Sequence, residues 1–406
     1  MHPQAASLWR HPRWTLAILL ASLGMLGPFS IDTYLPAFEG IARSTGATPV
    51  QLQQTLSGYL LGFAVMNLFH GALSDSFGRR PVVLGGLALF TLASVGCALS
   101  ERIETLILFR ALQGMSAGAG MVISRAVIRD LFPPDQAQRV MSQVTIFFGV
   151  APAVAPLLGG YLYVHADWHA IFWFLSGVGA LLWLVNWRLL PESLPPASVQ
   201  PFALRPLMQG YSSLLRNRRF LLLVLASGVP FNGMFLYVLA APTFLGQHLG
   251  FAPTQYFWFF VCSIGGIMGG AAWSGRLAGR IAPERQVRRG FSIMLAATLM
   301  NLLLNAFAPQ HALWSLPLIG SFSLGWALMV PVVTLMVLDQ APDRRGMASS
   351  LQSAIAAAAN ALVAGALVPL VMHSLLGLAL ASAAALCVGL GAWAWVQRGN
   401  SPANTG

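Results

Sequence analysis

The chain has 406 residues, of which 56% are hydrophobic and only 9% charged. A soluble domain carries roughly 25% charged residues, so this sequence lacks the polar groups to cover a water-exposed surface. Its net charge of +11 would suit a nucleic-acid partner if the basic residues formed one patch, but they are spread along one side of a series of apolar segments.

Twelve apolar blocks, each near the 20 residues that cross a hydrocarbon core of about 30 Å, follow one another with short connections. The first covers 14–36. Its apolar run is too long for a signal peptide and leads into a charged end at Asp32, so it is expected to be an uncleaved helix. The second covers 51–72 and the third 82–100. Between them lies Gly71-Ala72-Leu73-Ser74-Asp75-Ser76-Phe77-Gly78-Arg79-Arg80-Pro81, expected as a tight turn. There the glycines permit the reversal, and Asp75 can accept hydrogen bonds from free backbone donors at a helix start.

The fourth block, 104–124, carries Arg110, with Gln113 three residues on and on the same face. An arginine at the centre of a span costs at least about 2.5–3.5 kcal/mol, so it is expected to face a cavity or a partner. The alternative is that it snorkels to the outer surface. At 1.5 Å per residue Asp32 lies about 27 Å along the first helix, and Arg110 about 9 Å from the outer end of the fourth. Both are therefore expected in the outer third of the bilayer, close enough in depth to pair.

The fifth block, 139–162, contains Gly149, Pro152, Pro156, Gly159 and Gly160 among alanines. Prolines bend such a helix, and small residues let neighbours approach closely at the bend. The sixth covers 168–190. Residues 191–219 then form a proline-containing polar stretch that closes on Arg216, Arg218 and Arg219, expected as a linker between an N-terminal part, 1–190, and a C-terminal part, 220–406.

Six further blocks follow at 220–246, 254–275, 289–308, 312–338, 347–372 and 375–397. Placing Gly71 over Gly275 repeats the plan at an offset of 204, which is the pattern of a parallel internal repeat. Gly279 then stands where the first copy has Asp75, so the second turn is degenerate. Asp339, at the end of the tenth block, is expected to pair locally with Arg344 and Arg345.

All 23 basic residues are arginine. With the N-terminus placed in the cytoplasm, Arg43 and Arg102 fall outside, Arg110 falls within a helix and the rest fall inside, as the positive-inside rule requires. Both termini are thus expected in the cytoplasm, and a nucleic-acid role is unsupported. Cys97, Cys262 and Cys387 each sit within an apolar block and read as small apolar residues, not a disulfide framework. His165, His169, His248, His311 and His373 lack paired metal-ligand spacing and read as interfacial.

The stretch from Gly71 to Pro81 resembles the loop signature of the major facilitator superfamily, and the Arg110 segment resembles that superfamily's helix 4 motif. The Gly149 to Gly160 stretch resembles the helix 5 motif associated with its antiporters, with Ala155 where glycine is usual. Ser30-Ile31-Asp32-Thr33-Tyr34-Leu35-Pro36-Ala37, Arg129-Asp130 and Pro191-Glu192 are similar to the Bcr/CflA branch, the bicyclomycin- and chloramphenicol-type drug:proton antiporters.

The resemblance implies an all-α membrane protein of twelve helices in two pseudo-symmetric six-helix bundles. It implies export of small amphipathic or lipophilic molecules in exchange for protons, by alternating access, from a bacterial inner membrane. Asp32 and Arg110 are the expected proton-coupling pair, and Tyr59, Gln113 and Asn232 the expected cavity lining. Gly71, Asp75, Gly78, Arg79, Arg80 and Asp130 are the expected gating loop. Gly149, Pro152, Pro156, Gly159 and Gly160 form the expected antiporter helix. No cofactor or metal is expected beyond the proton gradient; the partners are substrate, protons and lipid, and the chain is expected to act as a monomer. A proton-coupled metabolite exporter or importer and a transport-inactive sensor are the alternatives. An intramembrane enzyme is not supported, because no paired catalytic constellation occurs within the spans.

Overall fold

A computed structural model of the chain describes residues 12–132, 144, 152–196, 199, 201–307, 311–341 and 345–398, with the side chains of 13 and 129 left aside. The described residues form helices joined by short turns, with no strand among them. That is the outcome expected where no water can satisfy a bare backbone and each segment must bond its own N–H and C=O groups. Eleven of the described helical segments are long and apolar enough to cross a membrane. The expected fifth span is described at residue 144 and again from residue 152, where it is helical to 165; Gly149 lies outside the described residues.

Helix α1 runs Arg13–Asp32, ending four residues before its expected end. The Tyr34 N–H bonds to Ile31 O, three residues back, and this tightening leads into the 3₁₀ turn Leu35–Ala37, which contains Pro36. A short helix α2, Phe38–Thr45, follows. Helix α3, Pro49–Phe77, opens with a reciprocal cap. Thr48 Oγ1 accepts from Gln51 N at 3.3 Å, while Gln51 Oε1 accepts from Thr48 N at 2.9 Å.

Helix α3 passes five residues beyond its expected end. The stretch from Gly71 is therefore not a loop: it is the last two turns of a helix, and the reversal is made by Gly78 alone. Gly78 has a φ of 96°, a region open to glycine and strained for side chains. Helix α4, Arg79–Ala98, follows at once, then α5, Ile103–Leu131. Helix α6 spans 152–165 as described, and α7 is Trp168–Leu189.

The expected linker also contains structure that a polar reading missed. Helix α8, Leu204–Arg216, buries Gly210, Tyr211 and Leu214; its apolar residues recur at helical spacing within the polar stretch. Helix α9 is Arg218–Leu239, with Asn217 Oδ1 accepting from Phe220 N at 3.1 Å. The others are α10, Phe257–Leu277; α11, Pro283–Phe307; α12, Ala312–Leu338; α13, Arg345–Leu362; and α14, Leu375–Arg398. Helix α13 continues through a π turn, Val363–Leu367, to Val371.

The chain forms two compact units. The first runs through Leu204 and takes in Pro253–Gln255; the second holds Arg205–Ala252 and the chain from Tyr256 onward. In the first unit α3 packs along α5, α4 against α5 and α7, and α1 against α5. In the second, α12 packs against α10, α11 and α9, and α9 against α14. Close approach, not bulk, sets the α3–α5 contact. Gly114 lies so near the Tyr59 carbonyl that any side chain there would collide with backbone.

Candidate functional site

Two polar clusters stand out in the first unit. The first is at the Gly78 end. Arg79, 7% exposed, donates from Nη1 to Asp75 Oδ1 at 2.5 Å and to Ser74 Oγ at 2.6 Å, and from Nε to Asp130 Oδ2 at 3.2 Å. Ser193 Oγ also donates to Asp130 Oδ2, at 2.9 Å. One guanidinium thus ties the end of α3 to the end of α5, with a partner from the segment after α7.

Asp75 does not serve as the backbone acceptor expected of it. Glu192 takes that part: its Oε1 accepts from Arg79 N at 3.0 Å and its Oε2 from Arg80 N at 3.2 Å. A carboxylate on the first N–H groups of a helix satisfies donors that have no partner within the helix and opposes its dipole. Arg80 reaches the Trp187 carbonyl with Nη2. Gly71 lies within α3, where it accepts from Ser74 Oγ. In the sequence Pro191-Glu192 stands out only as part of a family pattern, and nothing local to it announces a cap on a helix 112 residues upstream.

The second cluster surrounds Arg110, which is fully buried. Its guanidinium carbon lies 4.4 Å from the Tyr59 ring centroid and 4.6 Å from that of Tyr34. Two aromatic faces therefore take the place of solvent around the charge. Arg110 Nη1 donates to Gln113 Oε1 at 2.5 Å and to the Ser30 carbonyl at 3.4 Å. Gln113 Nε2 donates onward to Ser94 Oγ at 2.7 Å. Tyr59 Oη donates to Gly27 O at 3.0 Å and accepts from Ser30 Oγ at 2.8 Å, while Tyr34 Oη shares a hydrogen bond with Thr55 Oγ1.

Arg110 Nε and Nη2 have no partner among the described residues. These two nitrogens form one edge of the guanidinium, two parallel N–H donors of the kind that grip a carboxylate. Asp32 is buried, at 5% exposure, two residues beyond the Ser30 carbonyl that Arg110 already reaches. Among the described residues no hydrogen bond or ion pair joins the two side chains, so the expected direct pair is not made in this arrangement. Tyr59 and Gln113 are likewise buried against Arg110; neither lines an open cavity here.

Pro152, half-buried, and Pro156, buried, lie on α6 with Gly159 and Gly160, both buried. Gly159 backs directly onto the carbonyl of Thr33, next to Asp32, so this small-residue face fixes the end of α1. In the second unit Asn232 is buried, donating to Gly228 O at 3.4 Å with its own Oδ1 unpartnered. Beside it a small cleft is lined by Gly233, Tyr237, Thr298, Asn301 and Ser382, among others, and Asn301 Nδ2 donates to Tyr237 Oη at 2.9 Å. Asp339 pairs with Arg345 at 3.3 Å on an exposed surface, a contact worth little. No cluster of metal-ligating residues occurs among the described residues. The three cysteines are free, and of these only Cys97 is buried.

A family model described as Major Facilitator Superfamily matches residues 20–364. A bicyclomycin resistance protein homolog of Haemophilus influenzae is 30% identical over 350 residues, covering 85% of this chain and 87% of its own length. An uncharacterized MFS-type transporter of Bacillus subtilis, YdgK, is 33% identical, covering 84% of this chain and 85% of its own. The multidrug resistance protein MdtL of Escherichia fergusonii is 30% identical, covering 81% and 82%. Among solved structures, peptide transporter POT superposes with a TM-score of 0.76 at 16% identity, over 97% of each chain. A D-xylose-proton symporter gives 0.67 at 16% identity, over 94% of this chain and 97% of its own.

Proposed function

The chain belongs to the Major Facilitator Superfamily of transporters, and from that premise we propose that it exports small drug-like molecules across a bacterial inner membrane in exchange for protons. Relatives named for bicyclomycin and multidrug resistance support the class of cargo. The observation that carries the coupling is the presence of two groups in one buried part of the first unit: the open Nε–Nη2 edge of Arg110 and the buried carboxyl of Asp32, with no hydrogen bond or ion pair between them among the described residues. A buried ionised carboxylate is costly unless paired. Asp32 therefore has two stable conditions, holding a proton without a partner or giving the proton up and closing on Arg110.

In this reading the arrangement described above is the proton-loaded one, with Arg110 resting between Tyr34 and Tyr59. Deprotonation draws Asp32 onto the open edge and moves the end of α1, which Gly159 of α6 contacts through the Thr33 backbone. Proton and substrate then drive one another by binding differently to the two conditions, as alternating access requires. The cluster around Arg79 is the cytoplasmic latch, held in one condition and loosened in the other.

The test is a drug-susceptibility panel in a pump-deficient bacterial strain, run with and without a proton uncoupler. Asp32→Asn is expected to abolish uncoupler-sensitive export while the protein reaches the membrane at the normal level. Normal export by that variant overturns the coupling assignment.

A further inference from the structure

Helix α8 belongs to neither polar cluster, and apart from its first residue it lies in the second unit. At about 100° per residue, its side chains sort into three stripes that follow one another around the axis. Gly210, Tyr211 and Leu214, all buried, form the stripe that packs on the protein, where the Tyr211 hydroxyl bonds to Ser350 near the start of α13. The next stripe, Leu204, Met208 and Leu215, is apolar yet 38% to 52% exposed. Beyond it come Arg205 and Arg216, both exposed.

Three connections fix the depth of this helix. It ends at Arg216 and the span α9 begins at Arg218, with Asn217 alone between them. Ser350 lies five residues after Arg345, the first residue of α13, another helix long enough to span. Arg218 stacks on Trp395, its guanidinium carbon 4.2 Å from the ring centroid, and Trp395 stands three residues before the end of α14. The ends of three spans thus meet α8 or the residues directly after it, which sets it where hydrocarbon gives way to headgroups. Tryptophan favours that level. A helix lying there points apolar side chains at the acyl chains and basic ones at the headgroups, and α8 carries the two stripes side by side.

Charge selects the ligand. Between Glu192 and Glu284 the chain has no Asp or Glu. Arg205, Arg216, Arg218 and Arg219 are all exposed, and among the described residues none of them forms an ion pair. Two of these arginines sit in the first turn of α9, against its dipole, and an anion beside them relieves that repulsion. Guanidinium groups take phosphate through paired hydrogen bonds. A phosphodiester with net negative charge complements four cations, whereas a zwitterionic headgroup brings its own cation. We propose that α8 and the first turn of α9 form a binding surface for anionic phospholipid headgroups, with Leu204, Met208 and Leu215 among the acyl chains. An acidic soluble partner suits the arginines but not an apolar stripe at the ends of spans, where lipid already stands.

This surface depends on the membrane spans and not on export, so it is tested without transport. The full-length chain with Cys97→Ser, Cys262→Ser and Cys387→Ser is placed in nanodiscs of phosphatidylcholine, alone or in equal parts with phosphatidylglycerol. A fluorophore attached after Met208→Cys is expected to be quenched by lipids brominated on their acyl chains. One attached after Ser213→Cys, on the opposite face of α8, is expected to stay in water. Headgroup-labelled quenchers then compare the two lipids at position 208, and phosphatidylglycerol is expected to be preferred. Arg216→Gln should lower that preference about fivefold, the equivalent of about 1 kcal/mol for one arginine near a charged surface. Arg205→Gln should act in the same direction, and Arg102→Gln, in the first unit, should leave the preference unchanged. All these arginines are exposed, so the variants leave the core intact. A label at 208 as open to water as the one at 213 overturns the proposal and leaves a soluble partner as the occupant. Equal quenching by the two lipids, or a preference that survives Arg205→Gln and Arg216→Gln together, overturns it as well. Asp32→Asn is expected to change neither readout, so the export reading and this surface fail separately.

Discussion

Arg110 is a fully buried cation, and its surroundings show how the fold meets the cost of burying it. Two tyrosine rings cover the faces of the guanidinium, Gln113 and the Ser30 carbonyl take one nitrogen, and one edge is kept free. A lysine would keep the charge but lose the flat surface that both rings stack on. Arg110→Lys is expected to lower the stability of the protein in detergent by about 2 kcal/mol, the scale of a desolvated cation–π contact, and to abolish export. Tyr59→Phe keeps the ring and loses two hydrogen bonds, so thermal unfolding should show a smaller loss of about 1 kcal/mol.

Asp32 and Arg110 were visible in the sequence because a charge in an apolar span is conspicuous. That Tyr34, Ser30 and Ser94 gather around Arg110 was not, because tyrosines and serines occur throughout such spans, the first two stand out only within a family pattern, and periodicity does not say which face the lipid and which face a neighbour.

At the scale of elements, the junction of α3 and α4 shows where local reasoning failed. The glycine-rich motif reads as a turn, yet only Gly78 turns; Gly71 to Phe77 stays helical because none of those residues breaks a helix and Arg79 pairs back to Asp75 one turn earlier. The cap of α4 comes from Glu192, far along the chain, through both its oxygens. Glu192→Gln is expected to weaken the protein by about 1 kcal/mol, the usual worth of a helix cap, while leaving α4 in place. Gly78→Ala forces a side chain into a φ of 96° and should cost more, of the order of 1–3 kcal/mol. Thermal unfolding of the two variants side by side gives the ranking. Helix α8 carries a similar lesson, since Leu204, Leu207, Met208, Tyr211, Leu214 and Leu215, at helical spacing, are masked by the proline and arginines around them.

For the whole molecule, the exposed surface is itself evidence of a membrane. Leu92, Phe307, Leu313 and Leu370 are among many large apolar side chains left open, at 68% to 86% exposure, as suits helices surrounded by lipid. The distribution of arginines sets the expected orientation. Reporter fusions after Arg398 and within 199–204 should both report the cytoplasm, and a fusion in the turn around Gly46 the opposite side. A cytoplasmic signal from all three would refute the arginine count as a guide to topology here.

The sequence by itself determined the membrane class, the number and order of the spans, the family and the two costly residues in the first half. Those properties follow from composition, segment length and the price of a charge in hydrocarbon, each of which is local. The tertiary structure decided that Arg110 rests on tyrosines instead of on Asp32 and that Glu192 and not Asp75 caps α4. These depend on which side chains meet across helices tens of residues apart, and apolar spans of nearly uniform composition carry little local record of their neighbours.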